Sequence, residues 1–448
     1  FRHGQLSLER KPDPALLALP DPYDPATRHG IPSPQDLSLY KGRFYLYWGP
    51  VPALLLVPIK SLIPGVIGDQ YLGFAFISGI FLLLSYLIVT IRRLFFPSAP
   101  AWTLAPLILA AGLTNPWPWL IATPSIYNAA VTGGQFFFLA GLCVAFAAFR
   151  KSPVSVWRLI LAGILWAAAL GSRISLLLPV AFLSLLILLT LMLERWRLGA
   201  LQRAVPAVLG LLIPLGAGIA ALAWYNWARF GSIFEVGLRY QLAGIYLNAH
   251  AAELYSPRYL LQNLYAYLLN PPSLKYPFPY FYPARGPDQS LVPLIVLSPI
   301  YYAQEVSGVL LSAPFVLLAL VPIAGFLGKR RGTGSASATT PRFTWLVIAL
   351  AGAFLLMFAF FAAFFWVGER YIGDFMPSLF LLATIGFFQL DTRLAGSLPG
   401  SALYRVIWMA LVGTSILLGT LIAISFNADG FRQLDPVLWR QLSNLFRP

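Results

Sequence analysis

Apolar runs of roughly 20 residues recur along this chain between about residue 71 and residue 425, divided by short polar stretches. A helix of that length crosses the hydrocarbon core of a bilayer. The pattern predicts spans at about 71–91, 98–119, 127–149, 156–173, 175–193, 204–227, 306–328, 343–366, 371–390 and 403–425. A β-barrel would show short alternating segments instead. The expectation is an all-α polytopic membrane protein.

Alternate connections between these spans are short and basic. They hold Arg92 and Arg93, then Arg150 and Lys151, then Arg195, Arg197 and Arg203, followed by "GKRRGTGSASATTPR" (328–342) and "DTRLAGSLPGSALYR" (391–405). Basic loops stay on the cytoplasmic side, so these five place it. The Gly/Ser/Ala/Thr-rich stretch 332–340 reads as a flexible linker. The opposite side takes residues 1–70, the 229–305 segment, the "VGERY" turn at 367–371 and the tail 426–448. The chain thus divides into outer loop 1–70, spans 71–228, outer loop 229–305, spans 306–425 and tail.

Composition agrees. Of 448 residues 58% are hydrophobic and 10% charged, and the mean hydropathy is +0.73; a soluble chain carries about 25% charged residues. The net charge of +15 reflects basic loops and not a nucleic-acid partner. One cysteine, Cys143, allows no internal disulfide. Of 16 acidic residues only Glu194 and Asp391 fall on the cytoplasmic side, and His3, His29 and His250 all lie outside. Asp13, Asp21 and Asp24 stand among prolines and read as turn formers in an extended surface loop over 12–34.

The stretch "QDLSLYKGRFYLYWGPVPALLL" (35–56) sets a single carboxylate, Asp36, and five aromatics before a Trp48-Gly49-Pro50 hinge. Residues 49–66 are apolar but hold four prolines and Lys60. That suits a helix lying along the membrane surface better than one crossing it. Asp36, Tyr40 and Tyr45 would then sit at headgroup level. The other reading of Asp36 is a helix cap.

The long outer segment carries 11 of the 21 tyrosines between Tyr240 and Tyr302. Tyrosine-rich loops beside a membrane suit sugar stacking and hydroxyl hydrogen bonding; an ordinary aromatic belt is the alternative. Arg173, Arg229, Arg239, Arg258, Lys275, Arg285 and Arg370 form an outer rim of cations. A guanidinium there suits a phosphate. Arg370 has Glu369 and Asp374 close in sequence, whereas Arg173 has no nearby acid, so Arg173 reads as the better phosphate ligand. No GxGxxG, Walker, HExxH or CxxC motif occurs, and the cytoplasmic loops are too short for a nucleotide site.

"HGQLSLE" followed by "DLSLYKGRFYLYWGPVPALLLVPI" resembles the first outer loop of bacterial membrane glycosyltransferases of the GT-C fold, such as protein mannosyltransferases and lipid A aminoarabinose transferases. "SIYNAAVTGGQFFFLAGL", "LGSRISLLLP", "WYNWARFGSIFEVG" and "ERYIGDFMPSLFLLA" are similar to later landmarks of that group, in the same order along most of the chain. The resemblance implies a GT-C-like helical bundle with an extracytoplasmic loop cap in a bacterial inner (plasma) membrane. It implies a sugar donor on a polyprenyl phosphate and an outer glycan, lipid or protein acceptor. Asp36 would be the catalytic carboxylate, with Tyr40, Tyr45, Arg173, Arg229, Arg239, Tyr240, Arg258, Lys275, Glu369 and Arg370 lining the substrates. The family's Asp-Glu pair after the first span is not in this chain, and a first span is expected before Phe1. No cofactor is implied beyond a divalent metal, for which the acids and His250 are candidate ligands. A lipid-linked glycan transporter or flippase, or a non-catalytic subunit with this fold, are the competing readings; internal repeats and mid-membrane charges, the marks of a transporter, are not found.

Overall fold

The computed structural model describes residues 1, 4–63, 67–150, 154–197, 204–276, 278–329 and 341–445. The expected linker at 332–340 and His3 lie outside the described residues. Among the described residues eight helices are long and apolar enough to cross a membrane: Asp69–Phe95, Ala101–Ala122, Ile126–Ala148, Ile174–Leu193, Val205–Phe230, Pro341–Ala362, Glu369–Leu394 and Pro399–Phe426. The protein is therefore a multi-pass helical protein.

Two expected spans differ. Val156–Ser172 is helical but only 17 residues long, at the short limit for crossing. The 306–328 region is broken into Val309–Ser312, a 3-10 segment Pro314–Ala319 and Leu320–Lys329, because Pro314 lacks the N–H that a continuous helix needs. Ala101–Ala122 is also interrupted, between Leu113 and Trp117, where Asn115 precedes Pro116 and is biased away from helix.

The helix Ile372–Leu394 is the centre of the bundle. In its span 94% of the most apolar stretch is buried, against 17% for Val205–Phe230 at the periphery. Gly386 permits this depth: a Cβ there would lie 1.9 Å from the Leu318 carbonyl oxygen. Toward the end of this helix, buried Asp391 binds Arg405 at 2.6 Å.

The expected helical fold is observed, and the polar segments add a few short strands to it. Ser38–Tyr40 pairs antiparallel with Arg43–Tyr45, joined by Lys41 and Gly42 at φ +47° and +70°, the two positive values of a type I′ hairpin. Ser273–Leu274 pairs with Phe281–Tyr282, Ala284–Arg285 with Glu305–Val306, and Tyr302–Ala303 runs parallel to Trp366–Val367. These stretches are too short and Pro-rich to bury a helical stripe, so their backbone groups pair across strands instead.

Residues 12–34 are more than a surface loop. Asp13, Asp21 and Asp24 do form turns, accepting the N–H groups of Ala15, Tyr23 and Ala26 at 2.8–2.9 Å. Leu16, however, is fully buried against Leu39, Phe44 and Leu242. That cluster joins the first polar segment to the second. Residues Val51–Leu62 form the expected short helix after the hinge, with Leu62 83% exposed.

Candidate functional site

The two polar segments meet at Asp36. Its N–H donates to the Leu242 carbonyl (3.0 Å), the Leu242 N–H returns to Leu37 (2.8 Å), and the Ser38 hydroxyl reaches the Gly237 carbonyl (2.7 Å). Asp36 holds φ +62°, a left-handed conformation that Asp tolerates better than most residues. The turn aims its carboxylate at a cavity of about 530 Å³, within the range of roughly 300–1,000 Å³ usual for small-molecule sites.

The cavity lies where helix ends converge: the start of Ile126–Ala148, the end of Val156–Ser172, the end of Val205–Phe230 and the start of Ile372–Leu394. The Trp48-Gly49-Pro50 hinge closes one side. Gly49 is required there, since a Cβ would stand 2.1 Å from the Gly171 carbonyl oxygen. The adjacent Tyr47 and Trp48 rings stack at 4.2 Å, and Trp48 meets Tyr127 edge-on at 4.8 Å. Phe360, Phe361, Phe364 and Trp366 line the cavity as well. Aromatic and aliphatic side chains make up most of the walls, with polar groups set among them.

Those polar groups are arranged unevenly. The Asp36 carboxylate accepts one hydrogen bond from Gln241 Nε2 at 2.8 Å and one from the Tyr127 hydroxyl. Both donors are neutral, and among the described residues no cation lies within ion-pair distance of Asp36. It is no helix cap. Burial, and then the nearby Asp36 charge, pushes the Tyr47 phenol above its usual range, so it remains a neutral donor.

Arg370 lines the same cavity, packed over the rings of Tyr127 (4.8 Å) and Tyr371 (5.2 Å). Among the described residues it makes no hydrogen bond and no ion pair. Tyr127 is thus shared, its hydroxyl by the acid and its ring by the cation. Arg173 also faces the cavity, but its guanidinium is held by Asp374 through three hydrogen bonds of 2.8, 3.0 and 2.6 Å. The expected ranking of the two arginines is reversed: Arg173 is neutralised and Arg370 is not. The reason is that Asp374 lies 201 residues from Arg173 in sequence, a contact that only the packed bundle makes.

Glu369, beside Arg370, points the other way. It is buried, accepting from Asn115 Nδ2 and from the Ser307 N–H (2.7 Å), and does not line the cavity. Neither expected acid partner of Arg370 is therefore free to reach it. Arg229 does line the cavity, tied to the Leu46 carbonyl (2.6 Å) and Asn226 Oδ1 (2.8 Å) and stacked on Tyr225 at 3.8 Å.

Of the expected site residues the cavity unites Asp36, Arg173, Arg229 and Arg370. Tyr40, Tyr45 and Tyr240 instead form an aromatic cluster around Phe230, with Tyr40 and Tyr240 4.5 Å apart. Arg239, Arg258 and Lys275 are exposed outside the cavity. His250 pairs with Glu253 at 2.9 Å, and among the described residues no three His, Cys, Asp or Glu side chains gather as a metal site.

Sequence reasoning did not single out Tyr127, Gln241 or Tyr371, and it offered Asp374 only as a neighbour of Arg370. Tyr127 and Asp374 each stand in the first turn of a span, where a polar group next to an apolar run is the available signal. Gln241 offers none. No family model, curated protein or solved structure matches the chain.

Proposed function

We propose that the protein is a GT-C-like membrane glycosyltransferase that moves a sugar from a polyprenyl phosphate to an acceptor hydroxyl on a glycan, lipid or protein. On this reading the polar segments face the outside of a bacterial inner membrane. The observation that carries it is the pair of unneutralised charges in one cavity, the Asp36 carboxylate and the Arg370 guanidinium, linked through Tyr127. A substrate bearing both a hydroxyl to be deprotonated and a departing phosphate complements such a pair.

In the displacement, the acceptor oxygen forms a bond to the anomeric carbon as that carbon's bond to the phosphate oxygen breaks. Asp36 takes the acceptor proton, and the electron pair leaves with the polyprenyl phosphate, whose charge Arg370 receives. A positioned general base supplies about 10²–10⁴-fold in rate, and cations at the leaving oxygen add electrostatic stabilisation. Tyr127 and Gln241 hold the carboxylate without neutralising it. The aromatic walls suit the apolar faces of sugars and the first isoprene units of the lipid.

The test is turnover of a radiolabelled polyprenyl-phosphate sugar by the purified protein in vesicles. Label appearing in an acceptor, with release of unsubstituted polyprenyl phosphate, supports transfer. Label that crosses the bilayer still attached to its lipid identifies a flippase. No change in either assay identifies a subunit without its own chemistry.

A further inference from the structure

The last two described helices, Ala428–Leu434 and Pro436–Asn444, follow directly on the Pro399–Phe426 span. Seven helical residues rise about 10 Å, so Pro436–Asn444 starts close to the level where that span ends. Its own sequence makes three sides at 3.6 residues per turn. Trp439, Leu442 and Ser443 form the inward side: Trp439 packs on Phe278 (5.1 Å) and Phe431 (5.8 Å), and the carbonyls of Leu442 and Ser443 accept from the Tyr280 (2.6 Å) and Tyr276 (3.3 Å) hydroxyls. Arg440, Gln441 and Asn444 form a second, polar and exposed side, on which Val437 also lies, two turns before Asn444. Leu438 and Leu445 form the third, and they are 39% and 64% exposed. Leu434, just before the helix, is 85% exposed.

We propose that this third side docks into the headgroup region of the bilayer, so that the helix and the 273–282 hairpin beneath it form a lipid-seated foot. A helix that is apolar on one bare side, with a charged neighbour side, lies in the membrane interface with its apolar residues toward the acyl boundary. Continuity with the span sets the depth. The charges around it fit: exposed Lys275, Arg432 and Arg440 can reach lipid phosphates, while Asp435 is engaged as the helix cap, accepting the Leu438 N–H at 2.9 Å. Asp429 is the one exposed acid among the described residues 428–445 that does no capping. The hairpin contributes a further bare leucine, Leu274, 72% exposed.

Cys143 is the only cysteine and is buried in the bundle, which makes site-specific labelling direct. In a Cys143→Ala background, spin labels are placed at Leu438→Cys, Leu445→Cys and, as the water-facing control, Asn444→Cys. The full chain is reconstituted in phosphatidylcholine vesicles, with and without phosphatidylglycerol. The expected result is an oxygen-to-nickel-complex accessibility ratio several-fold higher at Leu438 and Leu445 than at Asn444, in both lipid compositions. A ratio at Leu438 and Leu445 equal to that at Asn444 means water, and overturns the proposal. Protection from both reagents means that another protein surface covers the side, and overturns it equally. If the Cys143→Ala background does not fold, labels at the same positions in the wild-type chain give the comparison, since buried Cys143 is inaccessible to the reagent.

Discussion

The Arg173 guanidinium is locked to the Asp374 carboxylate by three hydrogen bonds of 2.6–3.0 Å, with the carboxylate side chain fully buried. The pair fastens the turn after Val156–Ser172 to the first turn of the central helix, and so fixes two walls of the cavity. Removing one partner strands a buried charge, which costs about 3–5 kcal/mol. Arg173→Gln or Asp374→Asn should therefore unfold well below the wild type in detergent thermal scans. The double variant Arg173→Met, Asp374→Leu should recover most of that loss. If the double variant is as unstable as the sum of the singles, the pair is not what holds the two elements.

Arg370 should behave in the opposite way. It has no hydrogen-bond or ion-pair partner among the described residues, only the rings of Tyr127 and Tyr371. Losing cation–π contacts of this kind costs about 0.5–1 kcal/mol each, so Arg370→Gln should fold and melt close to the wild type. Its affinity for a polyprenyl phosphate should fall about tenfold or more, since a charge-assisted hydrogen bond is worth about 1.5–3 kcal/mol. Arg370→Lys keeps the charge but not the fork and should fall between them. Unaltered binding by Arg370→Gln removes this residue from the phosphate site.

The contact between the two polar segments should be acid-sensitive at Asp21. The hydrogen bond from the Tyr246 phenol, aided by backbone N–H groups, holds the Asp21 carboxyl below its ordinary range. The sign follows: the stabilisation is complete above the unfolded value of about 3.9 and is lost as pH falls through the lowered folded value. Hydrogen-exchange protection factors over residues 12–34 should therefore fall below about pH 4, and Tyr246→Phe should flatten that dependence. Identical profiles for the two proteins would show that the phenol is not the source.

The fold was legible where long apolar runs do the folding, since hydropathy alone marks a bilayer span. It was less legible where proline breaks a run, as at Pro314 and Pro116, because an interrupted helix and a continuous one have nearly the same apolar count. In the site, Asp36 could be found because it is the lone acid before a Trp-Gly-Pro hinge, and Arg229 and Arg370 because cations at span ends stand out. The Arg173–Asp374 pair could not be found: local sequence offered Arg370 as the neighbour of Asp374, and only the placement of one span against another decides which guanidinium the carboxylate meets. Tyr127 and Gln241 were hidden for the same reason, as hydrogen-bond donors to a residue 91 and 205 positions away.

Asp36 is where these threads meet. Its backbone joins the two polar segments, and its carboxylate is held by Tyr127 and Gln241 with no cation beside it among the described residues. The substitution Asp36→Asn keeps the size, the backbone bond to Leu242 and an amide oxygen for one of the two donors, while removing the charge and the basic oxygen. Stability should therefore change little, because Asn also tolerates the left-handed conformation. Transfer from a radiolabelled polyprenyl-phosphate sugar should fall by about 10²-fold or more, the usual contribution of a general base. Donor binding should persist, since Arg370 is untouched. Tyr127→Phe makes the complementary change, loosening the carboxylate while keeping the ring beneath Arg370, and should lower the rate less than Asp36→Asn. Full turnover by a folded Asp36→Asn protein would make this acid a joint between loops and nothing more.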